Sequence, residues 1–468
     1  MNLTSNTEKT NIPYLISLAG IAALGGFLFG FDTAVISGTI SFVKEQFILD
    51  TVAEGWFVSS ALVGCIVGVS FSGFISDQFG RKKVLFVAAF LFLISAFGCA
   101  LTQTHTALII YRLVGGVGVG VASMVSPLYI SEISPAKFRG RMVALYQLAI
   151  TVGILTAYFS NAYIQNQATI TEGQSESIFS FLFRNEIWRG MFAAETIPAF
   201  LFLLLIFIIP ESPRWLITKN KEENAKKTLL KLGSKSFANN QISAVKESLK
   251  HETGSLKQLL QPGFRTALFI GVTIMLLSQF SGINAIIYYG PKILNEAGFT
   301  LGDALGGQVT IGIVNVLFTF IAILTVDKFG RRPVLILGVI GIVIAQIAVG
   351  TLFYLNMSNS PLLLIFILFF IACFAFSFGP VGWIIINEIF PNSIRGKAVS
   401  IATLAVWVGT ALIGQFVPFL LENITPAGTF WLFAVLAFPT IIITWKIIPE
   451  TKGKSLEEIE KHWLSYQE

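Results

Sequence analysis

Charged residues are scarce in this sequence. Asp, Glu, Lys and Arg together make up 12% of its 468 residues, whereas soluble domains carry about 25%. This deficit excludes an ordinary soluble domain. A hydrophobic fraction of 54%, with 43 Phe residues, indicates an apolar mass that suits lipid. We therefore expect an all-α integral membrane protein that crosses the bilayer many times.

Residues that ligate metals or form disulfides are also few. The three cysteines, Cys65, Cys99 and Cys373, lie in apolar runs without metal-ligand spacing, and the three histidines stand alone in polar connections. We interpret the cysteines as packing residues and expect neither a disulfide nor a metal site. A nucleophile elbow and a phosphate-binding loop are missing as well, so a membrane enzyme is the least favoured function and no cofactor is expected.

Twelve apolar runs are long enough to span a bilayer, which takes about 20 residues. They lie near residues 13–38, 55–76, 84–103, 107–131, 142–165, 190–209, 266–294, 306–326, 334–355, 362–387, 398–421 and 429–448. The first run is long enough to span, which distinguishes it from a cleavable signal peptide. An even number of spans places both termini on the same side.

Lysine and arginine are distributed unequally between the two sides. If the N-terminus is cytoplasmic, 27 of the 32 basic residues fall on the cytoplasmic side, Arg112 falls within a span, and four fall outside: Lys44, Arg184, Arg189 and Lys292. Positive charge concentrates on the cytoplasmic side of membrane proteins. We therefore expect a multi-pass protein of the cell membrane with both termini in the cytoplasm. The same bias accounts for the net charge of +6 without a nucleic-acid partner.

Two connections are long and polar. Residues 210–265 are rich in Lys and Glu, and their apolar residues recur at helical spacing, which predicts short amphipathic helices in a cytoplasmic linker. Residues 163–189 form the predicted outer loop, which could cap the outer mouth. The chain then divides into an N-terminal half (1–209), the linker (210–265), a C-terminal half (266–448) and a cytoplasmic tail (449–468).

The two halves repeat the same motifs at the cytoplasmic ends of their spans. Residues 77–83 (DQFGRKK) recur at 327–333 (DKFGRRP), residues 132–141 (EISPAKFRGR) recur at 388–397 (EIFPNSIRGK), and residues 210–214 (PESPR) recur more loosely at 449–453 (PETKG). Such repeats place a site between two halves that can rock against each other.

We interpret the charges in these motifs as an inner gate whose ion pairs hold the inner end closed and break when it opens. The alternative is that positive charge only anchors the topology. The acid–glycine–base spacing, present twice, favours the gate. Its residues are Asp77, Arg81, Glu132, Arg139, Glu211, Asp327, Arg331, Glu388 and Arg395.

The stretch from Gln279 to Tyr289 (QFSGINAIIYY) interrupts an apolar run with polar residues. Gly282 weakens the helix where Gln279 and Asn284 gather. Broken helices with polar groups at mid-membrane depth are typical of transporter substrate sites. The alternative is that the amides only join neighbouring helices.

Together these motifs identify a resemblance to the sugar porter family of the major facilitator superfamily, from about residue 26 to 453. The resemblance implies twelve transmembrane helices in two six-helix halves and transport of a monosaccharide, a hexose or a pentose, by alternating access. The implied sugar site comprises Gln147, Gln279, Asn284, Asn315, Gly379 and Trp383, with Phe29, Tyr288 and Trp407 as aromatic neighbours. Ser278 and Val406 stand where the family usually has hydrogen-bonding amides, so the preferred sugar does not follow.

Three ionisable residues lie well inside the spans: Asp32, Arg112 and Glu195. A charge in this position costs at least ~2.5 kcal/mol, so each predicts a function. The position of Asp32 resembles that of the aspartate in proton-linked family members, and we expect it to pair with Arg112 and to carry the proton. Glu195 resembles a second carboxylate that assists. A static ion pair is the alternative.

The function that we predict is therefore a monosaccharide–proton symporter in the lipid bilayer, expected to be a monomer. A uniporter of the same fold is the first alternative, and Asp32 argues against it. A non-transporting sugar sensor is the second, although such sensors tend to carry long soluble tails.

Overall fold

A computed structural model of the protein describes residues 10–170, 185–250, 256–390 and 392–452. The side chain of Asp327 lies outside the described part. Within these ranges the chain forms helices and no strand. Twelve of the helical segments are long and apolar enough to cross a membrane, which confirms the twelve predicted spans.

The first six spans are built from seven helices. Their bounds are α1 (Ile12–Phe47), α2 (Thr51–Phe79), α3 (Arg81–Leu101), α4 (His105–Ile133), α5 (Ala136–Ile170), α6 (Ile187–Ala194) and α7 (Thr196–Leu205), with α6 and α7 forming one span. The predicted outer loop begins later than expected. Helix α5 continues to Ile170 because residues such as Ile164 remain buried, and residues 171–184 lie outside the description.

The connection between the halves holds four short helices. They are α8 (Pro213–Thr218), α9 (Glu222–Leu232), α10 (Lys235–Lys250) and α11 (Leu256–Leu259). The predicted apolar face of α9 is buried through Ala225, Leu229 and Leu232. The backbone N–H of Asn11 donates to the carbonyl of Leu232 over 2.7 Å. The linker therefore packs against the start of the first span.

The last six spans are built from nine helices, three of the spans being broken. Their bounds are α12 (Phe264–Phe280), α13 (Ile283–Glu296), α14 (Leu301–Phe329), α15 (Arg331–Tyr354), α16 (Pro361–Phe376), α17 (Phe378–Glu388), α18 (Asn392–Asn423), α19 (Thr425–Ala437) and α20 (Pro439–Lys446). The broken spans are α12–α13, α16–α17 and α19–α20. The halves meet where α1 packs on α13, α2 on α18 and α5 on α14.

Tight turns join the second and third spans of each half, as the repeated glycines predict. Gly80 has a φ of +99° and Gly330 a φ of +90°, a conformation that favours glycine. A Cβ at Gly80 would lie 2.2 Å from a carboxylate oxygen of Glu211, and one at Gly330 would lie 2.8 Å from Glu450. Both the backbone angle and the close carboxylate therefore require glycine.

Candidate functional site

The seventh span is broken where the sequence gathers its polar groups. Helix α12 ends at Phe280 and α13 begins at Ile283, with Gly282 between them at a φ of +85°. The break exposes the Ser281 carbonyl, which accepts a hydrogen bond of 2.8 Å from the side-chain amide of Gln346. Gln346 on α15 was not predicted from the sequence, because no local pattern indicates which carbonyl a buried amide will reach.

The two amides of this stretch bond each other. Gln279 is 8% exposed and Asn284 is 9% exposed. The Oε1 of Gln279 accepts from the Nδ2 of Asn284 over 2.7 Å and from the Thr410 hydroxyl over 3.0 Å. Its Nε2 donates to the Oγ of Ser278 over 2.8 Å. Thr410, on α18, is a further residue that sequence reasoning missed.

The aromatic residues of the predicted sugar site lie around these amides. Trp407 is one helical turn before Thr410, and its ring lies 5.1 Å from that of Phe29, so an aromatic contact joins the two halves. Tyr288 is buried one turn after Asn284 in α13. These contacts bring the aromatic rings and the amides into one region between the halves.

The other four predicted sugar-site residues lie outside the hydrogen-bond network of Gln279 and Asn284. Trp383 on α17 is half-buried and packs against a small apolar cluster formed by Met275, Ile386 and Ala402. Gly379 lies one turn before it, and a Cβ there would meet its nearest atom, the carbonyl oxygen of Phe374, at 3.6 Å, which is an ordinary van der Waals distance. Gln147 on α5 and Asn315 on α14 make no side-chain hydrogen bond with another described residue.

A buried ion pair joins the first and fourth spans. The Nη1 of Arg112 donates to the Oδ1 of Asp32 over 2.6 Å, and both side chains are 2% exposed. The guanidinium also lies 5.6 Å from the ring centre of Phe192. Among the described residues, the Oδ2 of Asp32 and the Nε of Arg112 have no hydrogen-bond partner. The pair is therefore buried but incompletely satisfied.

Glu195 lies at the break between α6 and α7 and is 1% exposed. It forms no ion pair with Arg112, and its Oε1 has no hydrogen-bond partner within the described part of the chain. A buried ionised carboxylate without partners is costly. Glu195 is therefore a buried carboxyl group whose hydrogen-bonding capacity is only partly satisfied in this conformation.

At the end of the bundle that the charge bias assigns to the inside, the first half holds a cluster of charges. Arg81 forms a two-pronged ion pair with Glu132, with both N–O distances 2.9 Å, and also contacts Asp77 at 3.0 Å. The carboxylate of Glu211 accepts from the backbone N–H groups of Arg81 and Lys82, and so caps the start of α3. The cluster joins the second, third and fourth spans of this half to the start of the linker.

The second half repeats this cluster. Arg331 pairs with Glu388 at 3.0 Å, and Glu450 accepts from the backbone N–H groups of Arg331 and Arg332, each over 3.1 Å. Burial raises the pKa of Glu450, but hydrogen bonds from the backbone of Lys452, Arg331 and Arg332 outweigh it and hold the pKa below its usual value. The sequence repeat is therefore also a repeat of helix capping.

Arg139 and Arg395 differ from the expectation that they pair with carboxylates. Arg139 donates to the Ser131 carbonyl over 3.1 Å, and Arg395 donates to the Phe390 carbonyl over 3.2 and 3.3 Å. Glu132 and Glu388, the nearest acids in the repeat, are occupied by Arg81 and Arg331. Both arginines therefore bond carbonyls of their own half in this conformation.

The opposite end of the bundle, which the charge bias assigns to the outside, holds contacts between the halves. Glu54 of α2 is fully buried and pairs with Lys44 at 2.7 Å and with Lys292 of the second half at 2.6 Å. The Tyr158 hydroxyl donates to the Ile287 carbonyl over 3.1 Å. Pro291 leaves that carbonyl without its helical partner.

Further hydrogen bonds at this outer end involve Gln415 of α18, whose Oε1 accepts from Ser59 and whose Nε2 donates to the Val52 carbonyl. Sequence reasoning missed Glu54 and Gln415. The available signal was that Lys44 and Lys292 are two of the four basic residues on the outer side. A buried acid between them would explain why they lie there.

The chain is similar to known proteins over nearly its whole length. The family model described as sugar (and other) transporter matches residues 18–463. The arabinose-proton symporter of Bacillus subtilis (strain 168) is 42% identical over 459 residues, which cover 98% of this chain and 97% of that protein. The D-xylose-proton symporter of Escherichia coli (strain K12) is 38% identical over 490 residues, with the same coverage of 98% and 97%.

A third relative, the galactose-proton symporter of Escherichia coli (strain K12), is 37% identical over 451 residues. The alignment covers 95% of this chain and 93% of that protein. Among solved structures, the partially occluded inward-open conformation of the xylose transporter XylE from E. coli has a TM-score of 0.81 and 37% identity, covering 95% of this chain and 100% of that one. The XylE structure bound to 6-bromo-6-deoxy-D-glucose has a TM-score of 0.81 and 38% identity, covering 97% and 100%.

Proposed function

Because this chain belongs to the family of sugar (and other) transporters, we propose that it imports a monosaccharide with a proton by alternating access between two six-helix halves. Three relatives that align with nearly the whole chain are proton symporters of arabinose, D-xylose and galactose. A uniporter and a non-transporting sensor are not favoured, because the relatives couple a sugar to a proton. The chain is a transporter and not an enzyme.

The observation that carries the proton-coupled function is the buried pair of Asp32 and Arg112. Both groups are 2% exposed, so neither charge is compensated by bulk water. Adding a proton to Asp32 neutralises the carboxylate and leaves Arg112 without its counter-ion. A site of this kind changes its charge and its helix contacts in one event, which is what coupling requires.

We propose the following sequence of events. With Asp32 ionised, the pair holds α1 and α4 together. A proton binds at Oδ2, which has no partner among the described residues. Arg112 then no longer faces a charged carboxylate, and the loaded carrier can change conformation. On the inner side the proton leaves, the pair re-forms, and Glu195 assists by accepting or passing on the proton.

The sugar site that we propose lies between the halves around Gln279 and Asn284. Amides can donate to and accept from sugar hydroxyls in a fixed plane. The rings of Phe29, Tyr288 and Trp407 offer apolar faces for the C–H side of a sugar ring. Trp383 and Gly379 also lie on the second half, and Gln147 and Asn315 complete the set.

The contacts at the two ends of the bundle support an inward-facing conformation. The halves are joined at the outer end by Glu54–Lys292, Tyr158–Ile287 and Ser59–Gln415. At the inner end, the Arg81 and Arg331 ion pairs stay within their own halves. We propose that these inner clusters make each half move as a unit. We also propose that Arg139 and Arg395 leave their carbonyl partners and bind residues of the other half when the inner end closes.

The remaining proposals follow from sequence. We propose that the protein is a monomer in the cell membrane, and the charge bias supports an orientation with both termini in the cytoplasm. We divide it into halves at 1–209 and 266–448, with the linker at 210–265 and a tail at 449–468, of which residues 453–468 lie outside the described part.

Uptake by purified protein in liposomes tests the function. Counterflow with arabinose, D-xylose, galactose and glucose should show exchange of at least one sugar, and an inward pH gradient should drive its accumulation. Exchange without accumulation would support a uniporter. Saturable binding without any exchange would support a sensor.

A further inference from the structure

A proline interrupts the hydrogen-bond ladder in the outer segment of the seventh span. Pro291 lies inside α13 and has no backbone N–H, so the carbonyl of Ile287, four residues earlier, lacks its usual helical donor. Ile287 is buried, and a buried acceptor without a donor is costly. The fold must therefore supply a donor to this carbonyl from another helix.

Two side chains, one from each half, donate to the Ile287 carbonyl. The hydroxyl of Tyr158, on α5 of the first half, lies 3.1 Å from it, and Nε2 of Gln308, on α14 of the second half, lies 3.3 Å from it. The same Nε2 lies 3.1 Å from the carbonyl of Ile286. A carbonyl oxygen can only accept, so the hydroxyl and the amide nitrogen must be the groups that face it.

The amide of Gln308 is held in this place by the carbonyls of α13. Gln308 is 1% exposed, and its Oε1 has no hydrogen-bond partner in the part of the chain that the structure describes. A Cβ at Gly290 would lie 2.6 Å from both Nε2 and Oε1, so glycine is needed for the amide to reach the helix. Burying an amide that satisfies only its nitrogen is costly. Donation to the carbonyls of α13 offsets this cost.

The two donors differ in what happens to them when the outer end opens. Tyr158 belongs to the first half and Ile287 to the second, so their hydrogen bond breaks when the halves separate there. Gln308 and Ile287 belong to the same half, on the adjacent helices α14 and α13, so their hydrogen bond can persist. Without Gln308, opening would leave the carbonyl without either side-chain donor.

We propose that Gln308 is a positioning residue of the transport cycle, which keeps the Ile287 carbonyl bonded after Tyr158 has left, so that the outer end opens without stranding a buried acceptor. The inference rests on the proposed alternating access and assigns Gln308 no contact with sugar or proton. Pro291 creates the free acceptor, Tyr158 uses it to close the outer end, and Gln308 makes this closure reversible.

A cysteine in place of Val58 reports the opening of the outer end. Val58 on α2 is 1% exposed, and its side chain lies 3.5 Å from the Cβ position of Gly414 on α18, across the interface between the halves. The background lacks Cys65, Cys99 and Cys373. The rate at which a membrane-impermeant maleimide labels this cysteine in intact cells measures the outward-facing population, and the assay needs no sugar.

Variants of the two donors should change this labelling rate in opposite directions. Tyr158→Phe removes a hydrogen bond that exists only while the outer end is closed, so labelling should rise about 2- to 10-fold. Gln308→Leu strands the carbonyl only when the outer end is open, so labelling should fall about fivefold or more. In the Tyr158→Phe background the carbonyl then has no side-chain donor in either conformation. Gln308→Leu should therefore change labelling less than about twofold there.

Pro291→Ala distinguishes donation to the carbonyl from packing. The alanine gives Ile287 a helical N–H donor in both conformations, so Gln308→Leu should no longer lower labelling in this background. Gln308→Met keeps the length of the side chain and removes its donor. It carries the same expectations if Gln308→Leu folds poorly.

Gln346→Leu is the matched control. Gln346 is also 1% exposed, and its Nε2 donates to the Ser281 carbonyl of its own half. Within the described residues, no side chain of the first half donates to that carbonyl. The effect of Gln346→Leu on labelling should therefore be the same with and without Tyr158→Phe.

The results separate this inference from the proposed function. If Gln308→Leu does not lower labelling, water replaces Tyr158 on opening and the role of Gln308 is overturned. If the fall persists undiminished with Tyr158→Phe or with Pro291→Ala, Gln308 acts through packing and the inference is overturned as well. Failure of the proposed function would appear elsewhere, as wild-type protein that exchanges none of the four sugars in liposomes.

Discussion

Glu54 and Lys292 form an ion pair of 2.6 Å across the two halves at the outer end, and the carboxylate is fully buried. Lys44 contacts the other carboxylate oxygen at 2.7 Å. One acid thus holds two lysines from different halves. Removing one member of a buried pair leaves uncompensated charge and costs several kcal/mol.

Glu54→Gln should open the outer end. Loss of the carboxylate leaves two facing ammonium groups, so the population that faces outward should rise at least about tenfold. Labelling of a cysteine placed in the outer cavity, in a background without Cys65, Cys99 and Cys373, measures the shift. Glu222→Gln is the matched control, because its pair with Lys246 is about half exposed. Unchanged labelling in Glu54→Gln would show that the pair does not hold the outer end closed.

Asp32→Asn should abolish accumulation of sugar driven by a pH gradient and leave counterflow intact. The amide mimics the protonated carboxyl group, and exchange never needs the empty, deprotonated carrier to return. Both assays are run on the same proteoliposomes. Glu195→Gln, measured in parallel, should slow accumulation less. If Asp32→Asn still accumulates sugar, either Glu195 carries the proton or the driving ion is not a proton.

Gln279→Ala and Trp383→Ala should each weaken sugar binding by a few-fold or more. The first removes hydrogen bonds worth about 0.5–1.5 kcal/mol each, and the second removes an aromatic face for the sugar ring. Calorimetry on folded protein gives the affinities. Trp445→Ala is a suitable control, since this tryptophan is 63% exposed near the end of the last span. Wild-type affinity in either site variant would remove that residue from the site.

Arg139→Gln and Arg395→Gln should increase labelling of a cysteine in the inner cavity. Within the described part of the chain, both arginines bond only backbone carbonyls of their own half in this conformation, so the substitutions remove little there. If the arginines bridge the halves when the inner end is closed, the outward-facing state alone is destabilised. Lys82→Gln, at a nearby inner helix end, provides the comparison. No increase in either arginine variant would contradict the gate.

Glu450 should make thermal stability depend on pH. Its folded-state pKa is lowered, so the ionised form stabilises the fold above the unfolded-state pKa of about 4.3. This contribution is lost as the pH falls through the lower folded-state pKa. The Tm of wild type should exceed that of Glu450→Gln between pH 5 and pH 7, roughly. The difference should shrink below about pH 4. A difference independent of pH would exclude the charge as its source.

The sequence by itself determined the features that depend on local pattern. Apolar runs of membrane length gave the twelve spans, and a glycine among polar residues located the break at Gly282. Asp32 and Arg112 could be paired in advance, because two isolated opposite charges in hydrocarbon each need a partner. The repeat predicted matching clusters at the inner ends of both halves, and Arg81 and Arg331 occupy them.

Only the tertiary structure decided which distant groups meet. Glu54 lies at a helix start with no pattern around it, and its two lysines come from α1 and α13. Thr410 reaches Gln279 from 131 residues away, and Glu450 caps a helix that begins 119 residues before it. Arg139 and Arg395 bond carbonyls because the nearby acids are already paired. Such contacts depend on how distant helices pack, so local sequence cannot specify them. A carrier that alternates between conformations also replaces some of these contacts in each cycle.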